Sequence, residues 1–363
     1  MKTLFSSLSL CAFALAISSC APKQATTVSP ETLLLKDYAP ETIFKLPEHH
    51  PTQAKFSVID MHSHAYKKDI EGVKEWAKII EENNLQRVVV HTMAHGERFE
   101  ELYDMYKSVS DKFELWCGLN YEAWGTPDFE KVALADLERC AAKGAKGVGE
   151  LGDKGLGESF CTHEPSAHFN DPCFDAIIDK CGELGLPINF HAGDPIWMYE
   201  PLDEHNDGYM NAANWAIDLS VPGMLNLDEV VATFLEAVKK HPNTTFVAAH
   251  LINLSHDYER LGAVLDTYPN LYIDNSARHL ETCATPRATK KFYEKYQDRI
   301  VFGTDNDPER SMYRLEWRIL ETEDEHFYAE DGYSYHWPLH GLGLSDDILK
   351  KVYHDNAVKI MGW

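Results

Sequence analysis

The chain has 363 residues, 44% hydrophobic and 25% charged, which is enough for a sizeable core within one large domain. Its 34 basic and 58 acidic residues give a formal charge of −24, which repels phosphate backbones and argues against nucleic acid as a partner. Solubility is the plain account of that acidity.

Met1-Lys2 and the apolar run from Leu4 to Ile17 read as a signal peptide, because the run is shorter than the ~20 residues a membrane helix needs. Ile17-Ser18-Ser19-Cys20 resembles a bacterial lipobox, in which the chain is cut before a cysteine that then carries lipid. The expected organisation is a signal over 1–19, a tether and wrapping arm over 20–55 that begins at lipidated Cys20, and a folded domain over 56–363. Localisation follows as export to the bacterial cell envelope, with the lipid as the sole membrane contact. Whether the chain forms a homo-oligomer is left open. No Cys-x-x-Cys pair occurs, which disfavours a cysteine metal site, and Cys161 with Cys173 is the one pair worth testing for a disulfide.

From Val58 the chain alternates strand and helix. The first strand, Val58-Ile59-Asp60-Met61-His62-Ser63-His64, has an apolar lead-in, and its period of two predicts Asp60, His62 and His64 on one face with Ile59 and Met61 on the other. Asp69 caps a helix carrying Val73, Trp76 and Ile80 at helical spacing. Further strands are expected at 87–91, 113–119, 145–151, 187–191, 244–250, 271–274 and 300–305, with a helix ahead of each. Eight short apolar strands alternating with helices predict a parallel sheet covered by helices, and the count fits a (β/α)8 TIM barrel. A doubly wound sheet is the rival, disfavoured because no glycine-rich phosphate loop follows the first strand.

Barrel sites lie at the C-terminal strand ends. Those ends supply His62 and His64, then Glu150, His191, His250 and Asp305, all of them metal-ligand types. A lone histidine at a strand end is usually structural. Six ligand types at equivalent positions are not explained that way.

At these residues the chain resembles the amidohydrolase superfamily, in particular the amidohydrolase-related group that includes aminocarboxymuconate-semialdehyde decarboxylase. The resemblance covers Val58 to Trp363 and rests on Asp60-Met61-His62-Ser63-His64, Phe190-His191-Ala192-Gly193, Ala248-Ala249-His250-Leu251, Phe302-Gly303-Thr304-Asp305 and the closing segment Leu344 to Ala357. It implies one divalent ion, zinc foremost, held by His62, His64, His191 and Asp305. His250 is then a second-metal ligand or a group that polarises substrate and moves protons. Gly149-Glu150-Leu151-Gly152 is similar to the Gly-Glu-Ile-Gly of TatD-type hydrolases, so Glu150 is expected as a ligand, with a second ion open; its alternative is an ion pair with Lys146 or Lys154. Asp305 and His250 are the expected catalytic residues. The implied reaction is hydrolysis of a small amide, ester or lactone, and non-oxidative decarboxylation of a small carboxylated substrate is the alternative. Arg278 is expected to grip a substrate carboxylate, ahead of Arg310 and Arg314. Trp197, Tyr199, His205, Tyr209 and Trp215 either wall the pocket or form ordinary loop core.

Overall fold

The computed structural model describes residues 28–158, 166–329 and 336–363. Cys20 with the signal, and Cys161, lie outside them. Residues up to Tyr38 form one unit, whose regular structure among the described residues is the single turn Leu35–Asp37; Ala39–Trp363 form the other.

The second unit contains all eight expected strands: β1 (Val58–His64), β2 (Leu85–His91), β3 (Phe113–Trp116), β4 (Val148–Asp153), β5 (Ile188–Ala192), β6 (Phe246–Ala248), β7 (Leu271–Asp274) and β8 (Ile300–Val301). Each pairs in parallel with its sequence neighbour inside two runs, β1–β2–β3 and β4 through β8. Two sets of backbone bonds join the runs into a cylinder. Gly149 N–H donates to Cys117 O at 2.8 Å between β4 and the end of β3, and Met61 N–H donates to Phe302 O at 2.8 Å between β1 and the end of β8. The barrel prediction therefore holds.

The main helices between strands are α1 (Ile70–Glu82), α2 (Gly96–Val109), α3 (Phe129–Lys143), α4 (Asp175–Leu184), a short α5 (Tyr209–Trp215), α6 (Leu227–Lys240), α7 (Tyr258–Thr267), α8 (His279–Thr282), α9 (Pro286–Tyr296) and α10 (Arg310–Glu321). The Asp69 carboxylate caps α1 by accepting from Gly72 N–H at 2.8 Å, and α4 stops where Gly185 turns left-handed at φ 66°. After α10 the chain closes with α11 (Asp346–Lys350) and α12 (Asn356–Met361).

Two buried clusters separate the faces of the strands. Val58, Val88, Val90, Leu115, Ile188, Phe190, Phe246, Ile273 and Ile300 pack outward with helix residues such as Trp76, Phe99 and Phe234. Ile59, Met61, Val89, Trp116, Val247, Tyr272 and Val301 meet from opposite sides of the cylinder and fill it, with Ala357 and Met361 of α12 against them.

Strict alternation along β1 fails at one point. Its register with β2 shifts between Asp60 and Ser63, as a β-bulge requires. Asp60 consequently faces outward, accepting from the Thr304 hydroxyl at 2.7 Å and from the Tyr313 hydroxyl of α10 at 3.1 Å. The extra residue turns His62 and His64 into the mouth. Gly303 permits the approach of the neighbouring chain, since a Cβ there would stand 2.7 Å from the His62 Cβ.

Candidate metal centre

His62 is completely buried. Its Nδ1–H donates to Asp274 Oδ2 at 2.9 Å, which directs Nε2 inward, and Nε2 is a buried atom without a hydrogen-bond partner among the described residues. Around it stand Glu150 Oε1 at 3.6 Å and Asp305 Oδ1 at 3.9 Å. His64 Nε2 lies 3.5 Å from Glu150 Oε2 and 3.1 Å from Asp305 Oδ1.

The strand-end expectation needs one adjustment. β6 stops at Ala248 and β8 at Val301, so His250 and Asp305 sit on turns just beyond them. His250 through Asn253 all adopt left-handed φ of 54–59°, and Asp305 has φ 48°, conformations unusual for residues other than glycine and concentrated at functional sites. His250 Nδ1–H donates to Ser276 O at 2.9 Å, so its Nε2 faces Glu150 Oε1 at 3.5 Å and Asp305 Oδ2 at 3.7 Å. His191 Nδ1 is 3.1 Å from Glu150 Oε1, while its other nitrogen meets Asp194 Oδ1 at 3.3 Å.

These distances decide what the cluster suits. Ligand atoms about 2.1 Å from a shared ion stand about 3.0–3.5 Å apart for angles between 90° and tetrahedral. Separations of 3.1–3.9 Å among His62, His64, Glu150, His250 and Asp305 overlap that range and exceed it by at most 0.4 Å. Ligand-type atoms of His62, His250 and Asp305, and again of Glu150, His191 and His250, lie within 4.8 Å of one another. His191 thus groups with Glu150 and His250, where the resemblance put it with His62, His64 and Asp305. Glu150 touches all four histidines and joins the two groups. Its expected alternative pairing does not occur, since Lys154 reaches Asp194 at 3.1 Å and Lys146 is exposed.

The charges follow from burial against attraction. In the metal-free protein, burial pulls the His62 pKa down, but the neighbouring carboxylates, Asp274 first, override it and push it up to about 10. His191 is likewise opposed by burial and raised to about 9 by Glu150 and Asp194. Burial disfavours the charged forms of Glu150 and Asp305, yet the histidines hold both carboxyls well below the usual range. His250 is lowered by burial and by the charge of His191, which keeps it neutral.

Two strand-end residues outside the expected set belong to the site. Asp274, last in β7, accepts from His62, from Asn189 Nδ2 at 3.0 Å, from His250 N–H at 3.0 Å and from the Ser276 hydroxyl at 2.5 Å. His91, last in β2, is completely buried beside His62 and His64. The rule that found the other ligands would have included both.

Arg278 is nearly buried, and its Nε and Nη2 donate to Asn253 Oδ1 at 3.1 and 2.5 Å. Arg310 bonds to Glu75 and Glu82 of α1, a surface role. Among the loop aromatics, the Tyr199 hydroxyl accepts from Asp194 N–H at 3.1 Å, whereas His205, Tyr209 and Trp215 are exposed, so the loop does not wall the centre as one aromatic sheet.

The amidohydrolase family profile matches residues 118–363. The chain belongs to the amidohydrolase family. No curated protein matches. Among solved structures, 2,6-dihydroxybenzoate decarboxylase from Rhizobium is 13% identical with a TM-score of 0.50, over 85% of this chain and 99% of that one. The 5-carboxyvanillate decarboxylase from Novosphingobium aromaticivorans, crystallised with manganese, is 12% identical with a TM-score of 0.50, over 87% and 100%. A probable 2-pyrone-4,6-dicarboxylic acid hydrolase from Acinetobacter baumannii is 11% identical with a TM-score of 0.50, over 84% and 99%. At these identities they support the barrel fold, and the metal-dependent hydrolase class predicted from the motifs agrees with the family.

Proposed function

We propose that this member of the amidohydrolase family hydrolyses a small amide, ester or lactone with a water activated by a divalent ion, zinc foremost because imidazole supplies most of the ligands. The observation carrying this reading is the ligand-like spacing of His62, His64, Glu150, His250 and Asp305 around the bare Nε2 of His62. His62, His64 and Asp305 would hold the ion, with His191 and His250 across Glu150 able to take a second. When bound, such an ion lowers the pKa of its water from about 15.7 to ~7.

The protein's own groups then divide the proton work. Asp305 is ionised, and its Oδ1 accepts from the Tyr66 hydroxyl at 3.0 Å, which orients the carboxylate for its proposed role as acceptor of the water's proton and donor to the leaving group. His250 turns a lone pair inward, which suits a ligand or proton acceptor better than a donor to a substrate carbonyl. Arg278, close enough for its charge to depress the His250 pKa, is the proposed partner for a substrate carboxylate.

Non-oxidative decarboxylation can use the same groups. A screen of amides, lactones and carboxylated aromatics with product analysis separates the two: 18O incorporation from labelled water is expected, and carbon dioxide release without it would refute hydrolysis.

The N-terminal segment supports a second proposal, lipid anchoring in the cell envelope through Cys20. Radiolabelled palmitate should mark the wild-type chain and not Cys20→Ser; an unlabelled wild type refutes it.

A further inference from the structure

We propose that His91 is a metal ligand, so that His62, His64 and His91 form a three-imidazole cation position on the floor of the centre. This rests on the reading of the barrel mouth as a metal centre and adds a residue to its ligands.

Strand β2 pairs with β3 without a register shift, so Val89 and His91 both point into the cylinder. His91 is 0% exposed, and neither Nδ1 nor Nε2 has a hydrogen-bond partner among the described residues. Its ring stacks on Trp116 at 5.1 Å and 29°, with the His62 ring 4.7 Å away and the His64 ring edge-on at 5.7 Å. One nitrogen from each of the three histidines falls within 4.8 Å of the others.

A histidine kept only for packing normally satisfies at least one ring nitrogen. Two desolvated, unanswered nitrogens cost stability that a phenyl ring on Trp116 would not. A cation offers both His91 and His62 the partner they lack. The carboxylates of the centre stand beside the same atoms, Glu150 3.6 Å and Asp305 3.9 Å from His62 Nε2, and 3.5 and 3.1 Å from His64 Nε2. With His91 added, imidazole nitrogens outnumber carboxylates around His62 and His64, which suits zinc, copper or nickel and disfavours magnesium and calcium.

His91→Phe keeps the ring and its stack while removing both nitrogens. The probe is zinc added to the chelator-stripped full chain, read by chelator competition, bound zinc per chain and Tm with and without metal. The metal-free variant is expected to match wild type or exceed it by about 2 °C, to bind zinc at least tenfold more weakly, and to gain less Tm on loading. Equal zinc stoichiometry with Kd within twofold of wild type would overturn the assignment while leaving the metal centre intact. A wild-type chain that binds no zinc, nickel or manganese would overturn both. Should the variant not fold, anomalous scattering from zinc-loaded wild-type crystals decides: a peak about 2.1 Å from a His91 nitrogen is expected, and peaks that touch only the other histidines and carboxylates refute it.

Discussion

Asp274→Asn tests how far the centre depends on a residue that need never touch the ion. The Asp274 carboxylate is fully buried and accepts from His62, Asn189, the His250 backbone and Ser276. An amide of the same shape removes the anion and turns an NH2 toward at least one donor. Loss of a group that orients a ligand imidazole typically weakens metal binding 10- to 100-fold, about 1.4–2.7 kcal/mol. The variant also changes pH dependence. Because the His62 pKa is raised in the metal-free fold to about 10, the stability it contributes is complete below the unfolded value of about 6.5 and is lost as pH rises through about 10. Without the Asp274 charge, that decline should shrink and shift to lower pH. Chelator competition and urea unfolding between pH 6 and 10 read both effects. A variant with zinc affinity within threefold of wild type and an unchanged stability profile would show that Asp274 does not set His62.

Metal binding near pH 7.5 should release at least one proton per ion, because His62 and His191 titrate at about 10 and 9 in the metal-free protein; affinity then rises with pH. Calorimetry in buffers of different ionisation enthalpy measures this, and zero release contradicts it. Asp305→Asn should lower turnover at least a thousandfold, about 4 kcal/mol of barrier, and reduce bound metal; near-normal kcat with full metal rules out its proton role. Gly303→Ala places a methyl 2.7 Å from the His62 Cβ and should cost about 1–3 kcal/mol in urea unfolding; unchanged stability would mean that β1 and the end of β8 separate easily.

Much of the fold was legible because β/α alternation leaves a strong periodic signal, and the strand ends then pointed to His62, His64, Glu150, His191, His250 and Asp305. The β1 bulge was not, since an inserted residue leaves Asp60-Met61-His62 looking like uninterrupted alternation; only the pairing with β2 exposes the slip. The placement of His250 and Asp305 on left-handed turns was equally hidden, because neither is glycine. His91 and Asp274 were present in the sequence as the final residues of β2 and β7, and the strand-end rule already contained them. The loop after β5 resisted for another reason: its aromatic residues are alike in sequence, and tertiary packing alone separates Tyr199 from the exposed Trp215.

Metal analysis of the purified chain, beside a His62→Ala/His64→Ala double variant of confirmed fold, tests the account most directly. One or two divalent ions per wild-type chain, and less than a tenth of that in the variant, are expected. A wild-type chain that folds and turns over substrate without a bound metal, or a double variant that retains its full complement, would contradict it.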